Sequence, residues 1–257
     1  MLRLITCEFW KIKRRKLFQA AFLTTFIVPL LYAMILSDTD LDVMMSVVRE
    51  ENGFLILIPL SVILAANLFF EEHDHDTLKN LMCIPVSKNR LALAKFVVIL
   101  LFDVGYMLAG YGIAILLTAV AGVPLTGWGL QLFLTLGTGV LLWAAAMPCI
   151  FLVVWCNKSY IISVIIAFAY TVLNYILHIN DRFIMVPLGL NAATFLPVPV
   201  IFRWIYQFHS IDGEIMREFY HRFSPYFIST PAVFGILIGE AAVFMLLMMK
   251  VYQKQNV

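Results

Sequence analysis

The chain has 257 residues, of which 62% are hydrophobic and only 13% are charged, and its mean hydropathy is +0.92. Soluble globular domains carry about 25% charged residues, so this composition excludes an ordinary soluble enzyme or binding domain. The formal net charge of +2 is less informative than the distribution of the charges. Unbroken apolar runs of roughly 20 residues predict an all-α integral membrane protein, because a helix of that length crosses a bilayer.

Six membrane spans are predicted. They cover Leu17–Leu36, Gly53–Phe70, Ala92–Val120, Leu130–Trp155, Tyr160–His178 and Pro231–Val251. Lysine and arginine cluster before the first span, between the second and third spans, and at the C-terminus. Short cytoplasmic segments are enriched in these residues, so both termini are predicted to be cytoplasmic. The acidic segment with Asp38, Asp42 and Glu50 is then an external loop.

We predict one transmembrane domain over residues 1–257 with two flanking features. Residues 1–16 form a helix along the inner membrane surface, with an apolar face opposite a basic face. The apolar face comprises Leu2, Ile5, Phe9 and Ile12. Residues 179–230 form an extracytoplasmic segment of short interfacial or re-entrant helices, which Pro197 and Pro199 are expected to break.

A dense ionisable cluster, Glu-Glu-His-Asp-His-Asp, occupies residues 71–76. Because it continues the second span as a helix, His73 and His75 lie about 200° apart around the axis and do not share a ligand. No His or Cys cluster in another cytoplasmic segment completes a metal shell, so we predict no metal site. The cluster lies at the water boundary, which disfavours a proton relay.

A short cytoplasmic helix is predicted within residues 71–90. Asp74 or Asp76 caps its N-terminus, Pro85 ends it, and Ser87 caps the next helix. Its apolar patch comprises Leu78, Leu81 and Met82. A two-faced helix held between two spans suits a cytosolic partner, and the alternative is a helix that packs only on its own chain.

At these residues the sequence resembles the permease subunits of ABC-2 type exporters. The shared pattern is an acidic residue, Thr-Leu, Pro-x-Ser, a basic residue and a later lysine. It consists here of Glu72, Thr77, Leu78, Pro85, Ser87, Lys88 and Lys95. The chain departs from the usual pattern at Asp76, where the family has Gly or Asn, and at Lys88, where it has Arg. The segment TLKNLMCIPVSKNR is most similar to segments of bacitracin-export and lantibiotic-immunity permeases.

The resemblance implies that residues 71–90 form a coupling helix that docks on a separate cytosolic ATPase. Two ATPase copies, which bind ATP and Mg, would act with two permeases, the second being identical or a sibling. The expected function is export of an antimicrobial peptide or peptide antibiotic by alternating access across a bacterial plasma membrane. The alternatives are an ABC-2 exporter of a drug, lipid or ion, and a standalone secondary transporter.

The chain is expected to be a transport subunit rather than an enzyme. It contains no G-x-x-x-x-G-K, H-E-x-x-H or G-x-S-x-G motif, so nucleotide binding and hydrolysis by these routes are not expected of it. No cofactor bound by this chain and no nucleic-acid partner are predicted, whereas membrane lipid is.

Polar residues within the spans are candidates for a substrate pathway, since ionisable groups are costly there. Asp103 lies eight residues beyond Lys95, and Glu240 lies ten before Lys250. At 1.5 Å per residue, both acids are roughly 12–15 Å from the inner boundary, near the midplane. Asn67 is a third candidate, for which an ordinary interhelical hydrogen bond is the favoured alternative.

Overall fold

The structure, a computed structural model, describes residues 1–14, 16–35, 40–74, 87–156, 160–210 and 214–254. Within these ranges the chain is almost entirely helical and contains no β-strand. Six of the helices are long and apolar enough to cross a membrane. The predicted all-α fold with six membrane-spanning helices is therefore confirmed.

The helices fall into two groups along the chain. The first group comprises α1 (Leu2–Lys13), α2 (Lys16–Ile35), α3 (Leu41–Val47), α4 (Ile58–Asp74) and α5 (Lys88–Val120). The second comprises α6 (Trp128–Cys156), α7 (Tyr160–Ile179), α8 (Asp181–Ile184), α9 (Ala192–Phe195), α10 (Pro197–Ile205), α11 (Glu214–Phe223) and α12 (Thr230–Lys254). A π-helical segment, Val48–Leu57, joins α3 to α4 without a break.

The second membrane-length helix begins earlier than the sequence indicated. It starts at Leu41, where the Asp40 carboxylate accepts the backbone N–H of Leu41 at 2.7 Å, and it continues to Asp74. The acidic stretch that contains Asp42 and Glu50 is therefore helical, and the prediction of a loop there is wrong. Asp42 in this helix receives hydrogen bonds from Gln131 and Ser210, which lie far from it in the chain.

Three helices form the interior of the bundle. Most residues are buried in the spans that contain α4, α5 and α6, whereas few are fully buried in α2, α7 and α12. On α7 the buried residues recur every three or four positions, which places them on one face. They are Ser163, Ala167, Thr171, Asn174 and His178. The remaining faces of α7 are apolar and exposed, as expected for a helix surrounded largely by lipid.

One end of the bundle, which we call the basic end, carries Lys88, Arg90 and Lys250. Here the start of α5 meets the end of α12, and Gln253 Nε2 donates a hydrogen bond to Asn89 Oδ1 at 2.7 Å. The start of α3 and the start of α6 lie at the opposite end. The predicted orientation, with the basic end in the cytoplasm, stays a prediction.

The N-terminal helix α1 forms where the sequence predicted it. Ile12 is buried, and the rings of Phe9 and Phe18 pack edge to face with centroids 6.2 Å apart. Part of the predicted apolar face thus contacts the bundle, while Leu2 is exposed. The position of α1 on a membrane surface stays a prediction.

All nine residues of α10 are buried in the bundle. The predicted short helices are present, but Pro197 and Pro199 lie in the first turn of α10 and do not break it. The first turn tolerates proline because its N–H groups have no partner within the helix. Trp204 of α10 packs against Gly137 of α6, and its Nε1 donates to Thr230 Oγ1 of α12 at 3.0 Å.

Candidate coupling and transport sites

The structure describes only the borders of the predicted coupling loop. Helix α4 extends to Asp74 and includes the backbone of Glu72. Asp76, Thr77, Leu78, Leu81, Met82 and Pro85 lie outside the described residues, so their coupling role stays a prediction.

The far border of the loop is the start of α5. Ser87 occupies the N-cap position with an extended backbone, and its carbonyl accepts the backbone N–H groups of Arg90 at 3.0 Å and Leu91 at 3.2 Å. Its side chain makes no capping hydrogen bond, so the predicted position is right and the predicted side-chain cap is not formed. Lys88 is the first residue of α5.

Lys95 connects three helices at the basic end. Its side chain is fully buried, and its Nζ donates a hydrogen bond to the carbonyl of Leu68 on α4. The same ammonium lies 4.9 Å from the ring centroid of Phe69 and 5.8 Å from that of Tyr252 on α12. Both distances are within the range of a cation–π interaction. The charge of Lys95 thus joins the two helices that border the loop to the last helix of the chain.

Asp103 is enclosed between α4 and α5. It is fully buried, and the hydroxyl of Ser61 contacts its Oδ1. Ser61 also lies 2.9 Å from the carbonyl of Leu57, and a single hydroxyl proton serves only one of these acceptors. Either way, the Ser61 side chain connects α4 to the carboxyl group of Asp103 on α5. Asp103 therefore fits a hydrogen bond between packed helices.

Asn67 does not share a contact with Asp103. Its Nδ2 donates to the carbonyl of Ile63, one turn earlier on α4, at 3.0 Å. The side chain is partly buried. This bond lies within α4 rather than between two helices, so neither the interhelical bond that the sequence favoured nor a pathway role for Asn67 is tested by it.

Glu240 has different surroundings from Asp103. It lies midway along α12 and lines an open groove of about 840 Å³ whose other lining residues are almost all apolar. Its Oε2 is buried and, like Oδ2 of Asp103, has no hydrogen-bond partner among the described residues. Glu240 borders a space that is large enough for a ligand, whereas Asp103 is fully enclosed.

A partly buried polar network at the opposite end was not predicted from the sequence. The Arg49 guanidinium is fully buried and donates from Nη1 to Gln131 Oε1 on α6. Gln131 Nε2 donates to Asp42 Oδ1 at 2.6 Å, and Asp42 Oδ2 accepts the backbone N–H and hydroxyl of Ser210 at 2.8 and 2.7 Å. We call Asp42, Arg49, Gln131 and Ser210 the outer network. It joins the second span, the fourth span and the segment before the last span.

Two signals in the sequence point to this network. Asp42 and Arg49 are seven residues apart, which places them on one helix face, and Gln131 interrupts an apolar run. Neither signal indicates which helices meet there. The π-helical segment also places Asn52 inside, where its Nδ2 donates to the carbonyl of Thr25 at 3.1 Å.

His209 borders the outer network but is not a cationic part of it. Burial lowers the pKa of His209 to about 4, and the nearby positive charge of Arg49 acts in the same direction. The imidazole is therefore neutral at pH 7, so its 3.8 Å approach to Glu50 Oε1 is not an ion pair there. Its ring stacks on Tyr206 with centroids 5.0 Å apart.

These features define a multi-pass membrane protein with a helical transport domain. The profile of a family described as "ABC-2 family transporter protein" matches residues 4–174, which is more than half of the chain. The chain therefore belongs to the ABC-2 transporter family, and it is a membrane transport component rather than a catalytic domain. Membership implies pairing with an ABC ATPase. No curated protein matches the chain.

Proposed function

We propose that this chain is the permease subunit of an exporter that expels an antimicrobial peptide or peptide antibiotic from a bacterial plasma membrane. Two copies of a cytosolic ATPase and a second permease, identical or a sibling, complete the working unit. ATP and Mg bind to the ATPase, and its closure drives the permeases between inward-facing and outward-facing states. Residues 71–90 act as the coupling loop.

The observation that carries the coupling proposal is the position of Lys95. A displaced loop pulls on the end of α4 and the start of α5, which flank it in the chain. Lys95 bonds α4 and contacts Tyr252 of α12, so movement of one helix end is transmitted to the other two. Helix ends joined in this way would convert a local displacement of the loop into a change of state of the bundle.

The peptide-antibiotic substrate is supported by the resemblance of TLKNLMCIPVSKNR to bacitracin-export and lantibiotic-immunity permeases. It is also supported by the single carboxylate in the apolar groove beside α12. An amphipathic cation carries both an apolar face for such a groove and a charge for the carboxylate.

The first test is reconstitution with the ABC ATPase that co-purifies with this permease. Leu78→Ala with Leu81→Ala is expected to abolish co-purification of the ATPase and the dependence of ATP hydrolysis on the permease. Leu125→Ala is the matched control, since Leu125 is a leucine in the short turn between α5 and α6. Normal association and coupling of the double variant would contradict the coupling role of this loop.

The second test separates the possible substrates. Cells that express the permease and ATPase are challenged with bacitracin, a lantibiotic, a hydrophobic drug and a fluorescent lipid. Resistance to a peptide alone supports the proposal, whereas ATP-dependent export of only the drug or lipid contradicts it. Transport that persists without any ATPase would instead indicate a secondary transporter.

A further inference from the structure

The groove beside α12 is built from two parts of the chain. One wall is the segment from Leu188 to Phe195, and the other is the middle of α12. Its lining residues are Leu188, Gly189, Leu190, Thr194, Phe195, Ile236, Gly239, Glu240, Val243 and Phe244. Glu240 is the one ionisable residue among them.

The Glu240 carboxylate is available to a ligand. Tyr170 is near enough to interact with it electrostatically, but the Tyr170 hydroxyl donates to the carbonyl of Ala145 at 2.8 Å. Its proton therefore does not serve Glu240, whose Oε2 is without a partner in the described part of the chain. A buried carboxylate oxygen without a donor is costly, so a cationic donor gains both a charge interaction and a hydrogen bond here.

The groove opens on the outer surface of the bundle, where the exposed residues are apolar. Leu190, Phe195 and Val243 are 99%, 53% and 55% exposed, although all three are apolar. Glu240 lies ten residues before Lys250, or about 15 Å along the helix at 1.5 Å per residue. This depth is within the hydrocarbon layer, below the level of lipid headgroups.

We propose that the groove admits a cationic amphipathic peptide sideways from the lipid, and that Glu240 binds an ammonium group of that peptide. This assignment rests on the proposed function and adds the site and the entry route. The apolar walls accept the apolar face of the peptide, and the carboxylate accepts a lysine side chain or the N-terminus. A choline headgroup is a poorer fit because it has no N–H donor and its lipid holds it at the membrane surface.

The test uses the permease–ATPase complex in lipid nanodiscs and a fluorescent Leu/Lys amphipathic peptide as the probe. Glu240→Gln is expected to weaken probe binding about 10-fold or more, the loss expected when a charge-assisted hydrogen bond is removed. Glu240→Asp is expected to retain part of the affinity. Acetylation of the peptide's ammonium groups should weaken its binding to the unmodified complex to the same degree as Glu240→Gln.

A second pair of variants tests the groove without changing any charge. Gly239→Leu fills the groove, since a side chain there meets no heavy atom within 4 Å of its first carbon. Gly235→Leu is the matched control, because Gly235 lies one turn earlier on α12, is equally open and does not line the groove. Only Gly239→Leu is expected to weaken probe binding.

Three results would overturn the proposal: equal binding of the acetylated probe, unchanged binding by both Glu240→Gln and Gly239→Leu, or oxidative cross-linking of Val243→Cys between permease copies. The last result would show that a second copy covers the groove. Peptide export that is unchanged by Glu240→Gln would contradict the proposed role of the groove and leave the proposed function standing. Glu240-dependent binding without peptide export would support the groove and contradict the proposed function.

Discussion

The packing of α10 on α6 allows a quantitative prediction for Gly137→Ala. A β-carbon at position 137 would lie 2.8 Å from Cη2 of Trp204 and 3.5 Å from Cζ of Phe234. Favourable carbon–carbon contacts are about 3.5–4.0 Å long, so the indole must move by about 0.7–1.2 Å. The ring is rigid, fully buried and bonded through Nε1 to Thr230, so it does not rotate away freely.

Overpacking of this kind costs about 1–3 kcal/mol. The higher helix propensity of alanine offsets about 1 kcal/mol of this cost. We therefore expect Gly137→Ala to lower the free energy of unfolding by about 0–2 kcal/mol. Gly235→Ala, whose β-carbon would meet no heavy atom within 4 Å, is expected to be neutral or slightly stabilising.

The assay is reversible unfolding of the purified permease in mixed micelles, followed by tryptophan fluorescence and circular dichroism. The difference between Gly137→Ala and Gly235→Ala should be about 1–3 kcal/mol, because the helix-propensity gain cancels between them. Trp204→Leu in the Gly137→Ala background should recover part of the loss as a favourable coupling energy. Equal stability of the two alanine variants would refute the described packing of α10.

Three further predictions concern buried polar groups. Arg49→Met should lower the free energy of unfolding by about 1–3 kcal/mol, because it leaves the buried Gln131 Oε1 without its donor, and Arg182→Met at an exposed position should not. Equal effects in the same assay would contradict the outer network. Lys95→Met should make ATP hydrolysis independent of substrate. Lys95→Arg should retain part of the substrate dependence, since arginine keeps the charge. Full substrate dependence in Lys95→Met would exclude a transmitting role for Lys95. Asp103→Asn should leave peptide export within about twofold, because an asparagine amide also hydrogen-bonds Ser61 and keeps the contact between the packed helices. A loss as large as that of Glu240→Gln would return Asp103 to the transport pathway.

The six spans were predictable because hydropathy and length are properties of single segments. The start of the second span was not, since Asp42, Arg49 and Glu50 resemble a loop until their partners are known. Gln131 and Ser210 supply those partners from distant positions in the chain. Hydrophobicity averaged over one segment contains no information about them.

The two intramembrane acids show the same limit at a single residue. Asp103 and Glu240 were placed at similar depth by counting residues along their helices, and depth alone did not separate their roles. The difference comes from tertiary packing: Ser61 faces Asp103, whereas the segment from Leu188 to Phe195 leaves a groove beside Glu240. Pro197 and Pro199 show the same limit locally. A proline is tolerated in the first turn of a helix and breaks a helix further along, so its effect depends on where the helix begins.

The outer network also constrains the order in which the chain can be assembled during synthesis. Asp42 hydrogen-bonds Gln131 and Ser210, which follow it by 89 and 168 positions. At about 5–20 residues per second, a ribosome needs about 8–34 s to translate the 168 positions between Asp42 and Ser210. Gln131 is made about halfway through this interval, and until its end the charged start of the second helix lacks the contact with Ser210. We expect this helix to stay near the insertion machinery or the water boundary and to settle only after five spans have been made.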